Sequence, residues 1–254
     1  MNILNASNIT KVFGNPKHGC TTKALDGISI KIDSGEFVGI MGPSGSGKTT
    51  CLKIIAGLDK ATTGVVEIME VDINRLNEDE LAHFRRRKLG FVFQDFNLIN
   101  SLTIKENIML PMILEKRSLN EMEEKVLNVM SEFNINNIAN KYPYEVSGGE
   151  QQRSSISRAL VNEPAIILAD EPTGNLDSKS SYTVMKCLLK INLEQKGTIL
   201  MVTHDPFAAS FCNRIVYIKD GKVHMELQKK EGQKAFLDEI LQTLAVLGGQ
   251  ANDI

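Results

Sequence analysis

Residues 42 to 50 read Gly-Pro-Ser-Gly-Ser-Gly-Lys-Thr-Thr, with Gly42, Gly47, Lys48 and Thr49 at the spacing of a phosphate-holding loop. Glycines let successive backbone N–H groups curl inward onto phosphate oxygens, and a helix starting at the loop's end adds the positive end of its dipole. Lys48 then reaches the β- and γ-phosphates while the Thr49 hydroxyl holds Mg²⁺. Read alone, the same residues also make a plain glycine-rich turn. Further downstream, the apolar run Ala165–Ala169 ends in Asp170-Glu171. Two adjacent carboxylates repel one another if buried without a cation, so a bound metal or a proton is expected there. With a phosphate loop in the same chain, Mg²⁺ fits: Asp170 orients the metal or its water, and Glu171 is free to act as a base toward an attacking water.

Three other positions carry polar groups where a ligand could meet them. Gln94 ends the apolar run Leu89–Phe93, and His204 ends the run Thr198–Thr203. Open parallel sheets bind ligands beyond their strand ends. Taken singly, Gln94 is also an ordinary loop amide and a lone histidine is more often structural. Ser147 and Glu150 form a helix capping box, and the intervening Gly148 and Gly149 bare N–H groups on which an anion could sit. Phe13 offers a ring face that could stack on a nucleotide base, although by itself it reads as core.

The elements that must position these residues are legible from periodicity and caps. A buried strand over 36–41 precedes the loop, and a helix from Thr50 to Ala56 follows it. Strands over 3–12 and 24–32, separated by the turn-rich residues 14–19, predict an antiparallel β subdomain. Gly57 closes the loop helix, and Gly64–Ile68 resumes a strand. Asn77 and Glu80 cap a helix carrying Leu81 and Phe84, whose Arg85–Lys88 run reads as a solvated face. From Asp95 to Glu145 the pattern is helical, with capping boxes at Thr103/Glu106 and Ser118/Glu121. The apolar residues from Ile104 to Leu114 read mostly as core, with any exposed subset suited to a partner. Asp177 caps a helix running to about Leu193, Asp205-Pro206 opens a short one, and Arg214–Lys219 with Lys222–Glu226 make a hairpin about Asp220-Gly221. Phe236, Leu237, Ile240, Leu241, Leu244 and Leu247 recur at helical spacing, an amphipathic helix that packs on the body or on a second subunit.

Bulk composition narrows the class. The chain has 254 residues, 42% hydrophobic and 24% charged, which suits a globular protein of one large domain or a domain with an insert. A net charge of −2 gives no footprint for nucleic acid. No apolar run approaches the ~18 residues a bilayer crossing needs, and Lys105 and Glu106 interrupt the nearest candidate, residues 102–114. Met1–Asn5 lacks a basic segment and an apolar signal core, so a cytoplasmic chain is expected, reaching a membrane only through a partner. Cys20, Cys51, Cys187 and Cys212 show no metal-ligand spacing and read as free thiols.

Assembled in order, these residues resemble the ATP-binding subunits of ABC transporters over nearly the whole chain. Gly42–Thr49 matches the Walker A motif, Gln94 the Q-loop, Ser147–Gln151 the ABC signature, Ile166–Glu171 Walker B, Asn175–Asp177 the D-loop and His204 the switch histidine. Val146 and Glu150 depart mildly from the usual leucine and glutamine of the signature. The resemblance implies an α/β fold: a phosphate-loop, RecA-like core with an antiparallel β subdomain (residues 1–93 and 154–226), an inserted helical subdomain (94–153) and a C-terminal helix (227–254). It implies ATP and Mg²⁺, with Phe13, in place of the usual tyrosine, against the adenine. Gly42, Ser44, Gly45, Ser46, Gly47, Lys48, Thr49 and Thr50 would surround the phosphates, and Thr49, Gln94 and Asp170 the metal. Glu171 would polarise the water, with His204, Gln94 and Lys48 completing the catalytic set.

The same resemblance implies a homodimer in which Ser147, Gly149 and Asp177 of one copy reach the nucleotide held by the other. Phe91–Leu98 and Glu171–Asp177 look like the subgroup of macrolide-export and lipoprotein-release ATPases. His204–Ser210 and Phe236–Gly249 look closer to bacitracin-resistance ATPases. Implied is a motor on the cytoplasmic face of the membrane, bound to an integral-membrane permease that alone contacts the peptide or small-molecule substrate. The alternative is a lipoprotein-release, macrolide-export or cell-wall-hydrolase-regulating complex. A single cassette without a basic arm or sustained heptads sets aside relatives acting on ribosomes or DNA.

Overall fold

The computed structural model describes residues 1–15 and 20–249. Residues 16–19 of the expected turn, and 250–254 at the C-terminus, lie outside them. Strands β1 (Asn2–Asn15) and β2 (Cys20–Asp33) pair antiparallel, Ala6 opposite Ile30 and Ile9 opposite Ile28. The buried face alternates with the pleat, so Leu4, Ala6, Ile28, Ile30 and Ile32 all point into the core. Next come β3 (Phe37–Met41), α1 (Lys48–Ile55), β4 (Thr63–Ile68), β5 (Val71–Asp72), α2 (Glu78–Lys88) and β6 (Leu89–Phe93). β4 pairs with both β1 and β5, completing a four-stranded antiparallel sheet ordered β2-β1-β4-β5.

A helical stretch follows: α3 (Ile104–Leu114), α4 (Leu119–Glu132) and α5 (Gly148–Leu160). Thr103 and Ser147 form complete capping boxes with Glu106 and Glu150. The box expected at Ser118 is only half made. Ser118 accepts from the Glu121 N–H, but the Glu121 carboxylate pairs with Arg117 at 2.9 Å. The chain then returns through β7 (Ile166–Asp170), α6 (Ser178–Gln195), β8 (Ile199–Val202), α7 (Pro206–Ala209), β9 (Arg214–Lys219), β10 (Lys222–Gln228) and α8 (Gln233–Gly249).

The second sheet has six strands in the order β10-β9-β3-β8-β7-β6, parallel from β9 to β6, with β10 antiparallel at the edge. Both of its faces are covered, which is why β3, β7 and β8 read as continuous apolar runs. Val38, Ile40, Leu168, Leu200 and Val202 face the first sheet and α1. Phe37, Met41, Ala169 and Met201 face the core shared with α3 to α8. α8 packs on the body, with Phe236 and Ile240 buried in that core and Leu244 and Leu247 partly covered.

Candidate functional site

Four parallel strands end along one edge of the six-stranded sheet, and the chain leaves them at Gly42, Gln94, Glu171 and Thr203-His204. After β3 the backbone turns sharply. Gly42 stands at φ 154° and Gly47 at φ 99°; a β-carbon would strike the Ile218 carbonyl at the first and the Ala24 carbonyl at the second. Both glycines therefore serve the loop's close packing as well as its curvature. Gly47 is the N-cap of α1, which starts at Lys48 rather than at Thr50 as expected. Lys48 and Thr49 thus stand on the first helical turn, where N–H groups lack intrahelical partners.

Lys48 is buried, and its ammonium donates to the Gly42 carbonyl at 2.9 Å and the Pro43 carbonyl at 2.8 Å. Burial pulls its pKa below the ordinary lysine value, against the opposing pull of Glu171 and Asp170. Beside it the buried Ser46 hydroxyl has no partner among the described residues. An inward-curling loop with a caged cation and an orphaned donor suits a polyphosphate.

Thr49 Oγ1 lies 3.3 Å from Asp170 Oδ1. Burial raises the Asp170 pKa; the Thr49 hydroxyl opposes that and the Glu171 charge adds to it. A hydroxyl and a carboxylate are hard oxygen donors of the kind Mg²⁺ takes. Glu171 departs from the geometry expected of paired carboxylates. Its backbone is left-handed, φ 46°, and its Oε2 lies 2.8 Å from His204 Nδ1. The two acids have separate hydrogen-bonding neighbours, Thr49 and His204, yet the Glu171 charge still raises the Asp170 pKa, so a cation between them would still be favourable. Glu171 and His204 open on a cleft of 530 Å³ that Thr173, Gly174 and Asp205 also line.

Gln94 lines a narrower cleft of 290 Å³ with Asp170 and Lys53. Its Nε2 donates to Asn175 Oδ1 at 3.2 Å, while Asn175 Nδ2 donates to the Gln94 carbonyl at 3.3 Å and to Asp95 Oδ1 at 2.8 Å. Phe13 is 45% exposed, correcting its reading as core. Lys11 Nζ sits 4.9 Å from the ring centroid and is itself held by Asp59 Oδ1 at 2.6 Å. With a cation over one face, the exposed ring is polarised for stacking on a planar ligand.

Ser147 is exposed, but Gly149 is buried: a β-carbon there would meet the Ser180 hydroxyl at 2.9 Å. Close packing of α5 on α6, more than bared N–H groups, is what calls for glycine at 149. Asp177 caps α6 by accepting from the Lys179 and Ser180 N–H groups, and the Ser180 hydroxyl bond leads in lowering its pKa. Among the described residues no hydrogen bond joins Ser147, Gly149 or Asp177 to the 42–50 loop. A β-carbon at Gly45, whose φ is 79°, would meet nothing within 4 Å, and Ser44 is exposed, so the loop's mouth is open.

Asn175, read from the sequence only as part of the D-loop, joins the segment after Glu171 to Gln94, as above. Two further site-shaping residues escaped the sequence reading. Arg158 donates to the Phe96 carbonyl at 2.9 Å and to the Asn97 carbonyl at 2.5 Å. Gln152 is fully buried. Its spacing to Ile156 and Ala159, one buried helix face, was the signal that a polar residue points inward.

Comparison with known proteins agrees with this geometry. Residues 25–174 match the family model described as ABC transporter. The chain is 50% identical to an uncharacterized ABC transporter ATP-binding protein, YvcR, of Bacillus subtilis, over 100% of this chain and 98% of that one. It is 47% identical to the bacitracin export ATP-binding protein BceA of Halalkalibacterium halodurans, over 100% of both. Among solved structures it is similar to the ATP-binding cassette MJ0796 in a dimeric post-hydrolysis state bound to ADP and Pi. The TM-score is 0.82 at 45% identity, over 90% of this chain and 100% of that one. With a phosphate loop at the end of β3 and a match spanning both it and the β7 carboxylates, the chain belongs to the ABC transporter family and is an ATP-binding, ATP-hydrolysing cassette.

Proposed function

We propose that this cassette drives a transporter that protects a bacterium from cell-wall-directed antimicrobial peptides, through a separate integral-membrane permease. The observation that carries this reading is the end-to-end similarity to a bacitracin export ATPase, which extends through α8 as well as the nucleotide-binding core. A permease partner is further supported by a groove of 470 Å³ lined by Leu58, Leu89, Phe91, Leu110 and Leu114 together with Arg86. Half-exposed Ile113 and Leu114 lie on the same helix, α3. No helix among the described residues is long and apolar enough to cross a membrane, so membrane association at the cytoplasmic face falls to that partner. The peptide would meet the permease and not this chain. A strain lacking the gene should become severalfold more sensitive to bacitracin or a lantibiotic, and the wild-type chain, but not Glu171→Gln, should restore resistance. Unchanged susceptibility to both peptide classes would overturn the substrate assignment.

Within the cassette, the 42–50 loop and Lys48 hold the ATP phosphates. Thr49 and Asp170 would hold Mg²⁺, which when bound neutralises charge on the β- and γ-phosphates. Gln94 joins them from the adjoining cleft, Glu171 takes the proton of the attacking water, and His204 holds Glu171 in place. Ser147, Gly149 and Asp177 act on the nucleotide of a second copy; that cassettes of this kind pair is supported by the dimeric structure of the similar cassette MJ0796. Phe13 stacks on the adenine. Phe13→Ala should raise KM for ATP roughly five- to tenfold, the worth of one aromatic contact, with kcat nearly unchanged in steady-state assays.

A further inference from the structure

One buried side chain of α5 touches both segments that carry the proposed chemistry. Gln152 Nε2 donates to the Phe93 carbonyl at 3.1 Å and to the Pro172 carbonyl at 2.6 Å. Phe93 immediately precedes Gln94, and Pro172 immediately follows Glu171. Both amide hydrogens are thereby used, while the buried amide oxygen has no partner among the described residues. An unpaired buried acceptor opposes folding, whereas the two N–H donations satisfy carbonyls from which an apolar side chain of similar size would take the donor. The donor half of the amide must supply what such a side chain could not.

Glu171 shows what that is. A non-glycine residue at φ 46° keeps its conformation only where its surroundings fix it from several sides. Its N–H donates to the Val202 carbonyl at 2.9 Å, and its carbonyl accepts from Gly174 at 3.0 Å. The next carbonyl along, that of Pro172, is the one Gln152 holds. The Gln94 segment is gripped by the same helix at two heights, by Gln152 at Phe93 and by Arg158 at Phe96 and Asn97. At its other end α5 begins with Ser147 and packs through Gly149 onto α6.

We propose that Gln152 is a positioning residue for hydrolysis, its amide transmitting the placement of the Ser147–Gly149 end of α5 to Gln94 and Glu171 together. When a second copy's nucleotide engages that end, both groups are set at once. This rests on the roles assigned above to Gln94, Glu171 and the start of α5, so the test includes Glu171→Gln as a parallel arm.

Gln152→Met in the full chain matches the glutamine in length and removes both donors. Assayed well below its melting temperature, it should lose tenfold or more in kcat. KM for ATP and the affinity for a fluorescent ATP analogue should stay within twofold, because the 42–50 loop is untouched. Gln152→Asn, whose amide is one methylene short, should show the same kcat-selective loss and carries the test if the methionine variant does not fold. A kcat within twofold of wild type while Glu171→Gln is inactive overturns the role of Gln152 and leaves the site reading standing. Parallel losses in nucleotide affinity and kcat also overturn it, marking Gln152 as structural only. Retained turnover in Glu171→Gln removes the site reading, and this proposal with it.

Discussion

Glu171→Gln should bind ATP with near wild-type affinity, lose about 10²–10⁴-fold in turnover, and accumulate as an ATP-bound dimer, seen as an earlier peak in size-exclusion chromatography. The substitution is close to isosteric, and the features that place residue 171 are largely backbone ones: its left-handed φ of 46°, its N–H on Val202 and its carbonyl on Gly174. An amide oxygen can still accept from His204 Nδ1, which lies 2.8 Å from the present carboxylate. What is lost is basicity. An amide cannot take a proton from water, so the chemical step slows while the loop, Lys48 and the start of α5 keep their ligands. The dimer then outlives its wild-type counterpart because ATP, which in the proposed assembly joins the two copies, is not consumed. Turnover within tenfold of wild type would remove Glu171 as the base and direct attention to His204, the nearest other proton acceptor.

How much of this site was readable beforehand follows from how its parts are built. Asp170, Gln94 and His204 stand out because each ends a run of residues buried on both faces of a parallel sheet, where a polar group is conspicuous. Asn77, Thr103, Ser147 and Asp177 were legible because capping is local, written within three residues of each helix start. What failed depends on distant groups. The beginning of α1 at Lys48 has no apolar signal, since the Gly47 cap works through its backbone. The left-handed turn at Glu171 is imposed by Val202 and Gly174, and Phe13 is exposed because it lies where β1 and β2 run on past β4, whose last pairing with β1 is at Thr10. The glutamate at position 121 prefers Arg117 to its own helix N-terminus, a competition between neighbours that spacing alone does not decide. Gln152 looked like one polar residue in a polar stretch until its carbonyl partners, 59 and 20 residues away, were in view.

Asp170→Asn should separate stability from function at one atom pair. Burial raises the pKa of Asp170 above its ordinary 3.8, so the folded state binds a proton more readily than the unfolded one. Between 3.8 and the folded value, stability therefore falls as pH rises, and the full penalty of the charged carboxylate persists at neutral pH. The asparagine keeps an oxygen to accept from Thr49, 3.3 Å away, and carries no charge. Nucleotide-free Asp170→Asn should accordingly melt higher than wild type at pH 7.5. A gain of ~1 kcal/mol corresponds to about 2–4 °C in a chain of this size. The difference should shrink as pH falls toward 4, where the wild-type group protonates and its own penalty disappears. Hydrolysis should fall at least ~100-fold, because the anionic oxygen that the proposed site offers to Mg²⁺ beside Thr49 is gone. A lower melting temperature at pH 7.5 would show that Lys48 and Lys53, the cations whose fields oppose the burial effect, outweigh it. The expected outcome, a more stable and inactive protein, is what a buried carboxylate kept for its chemistry produces, since the fold alone is better served without its charge.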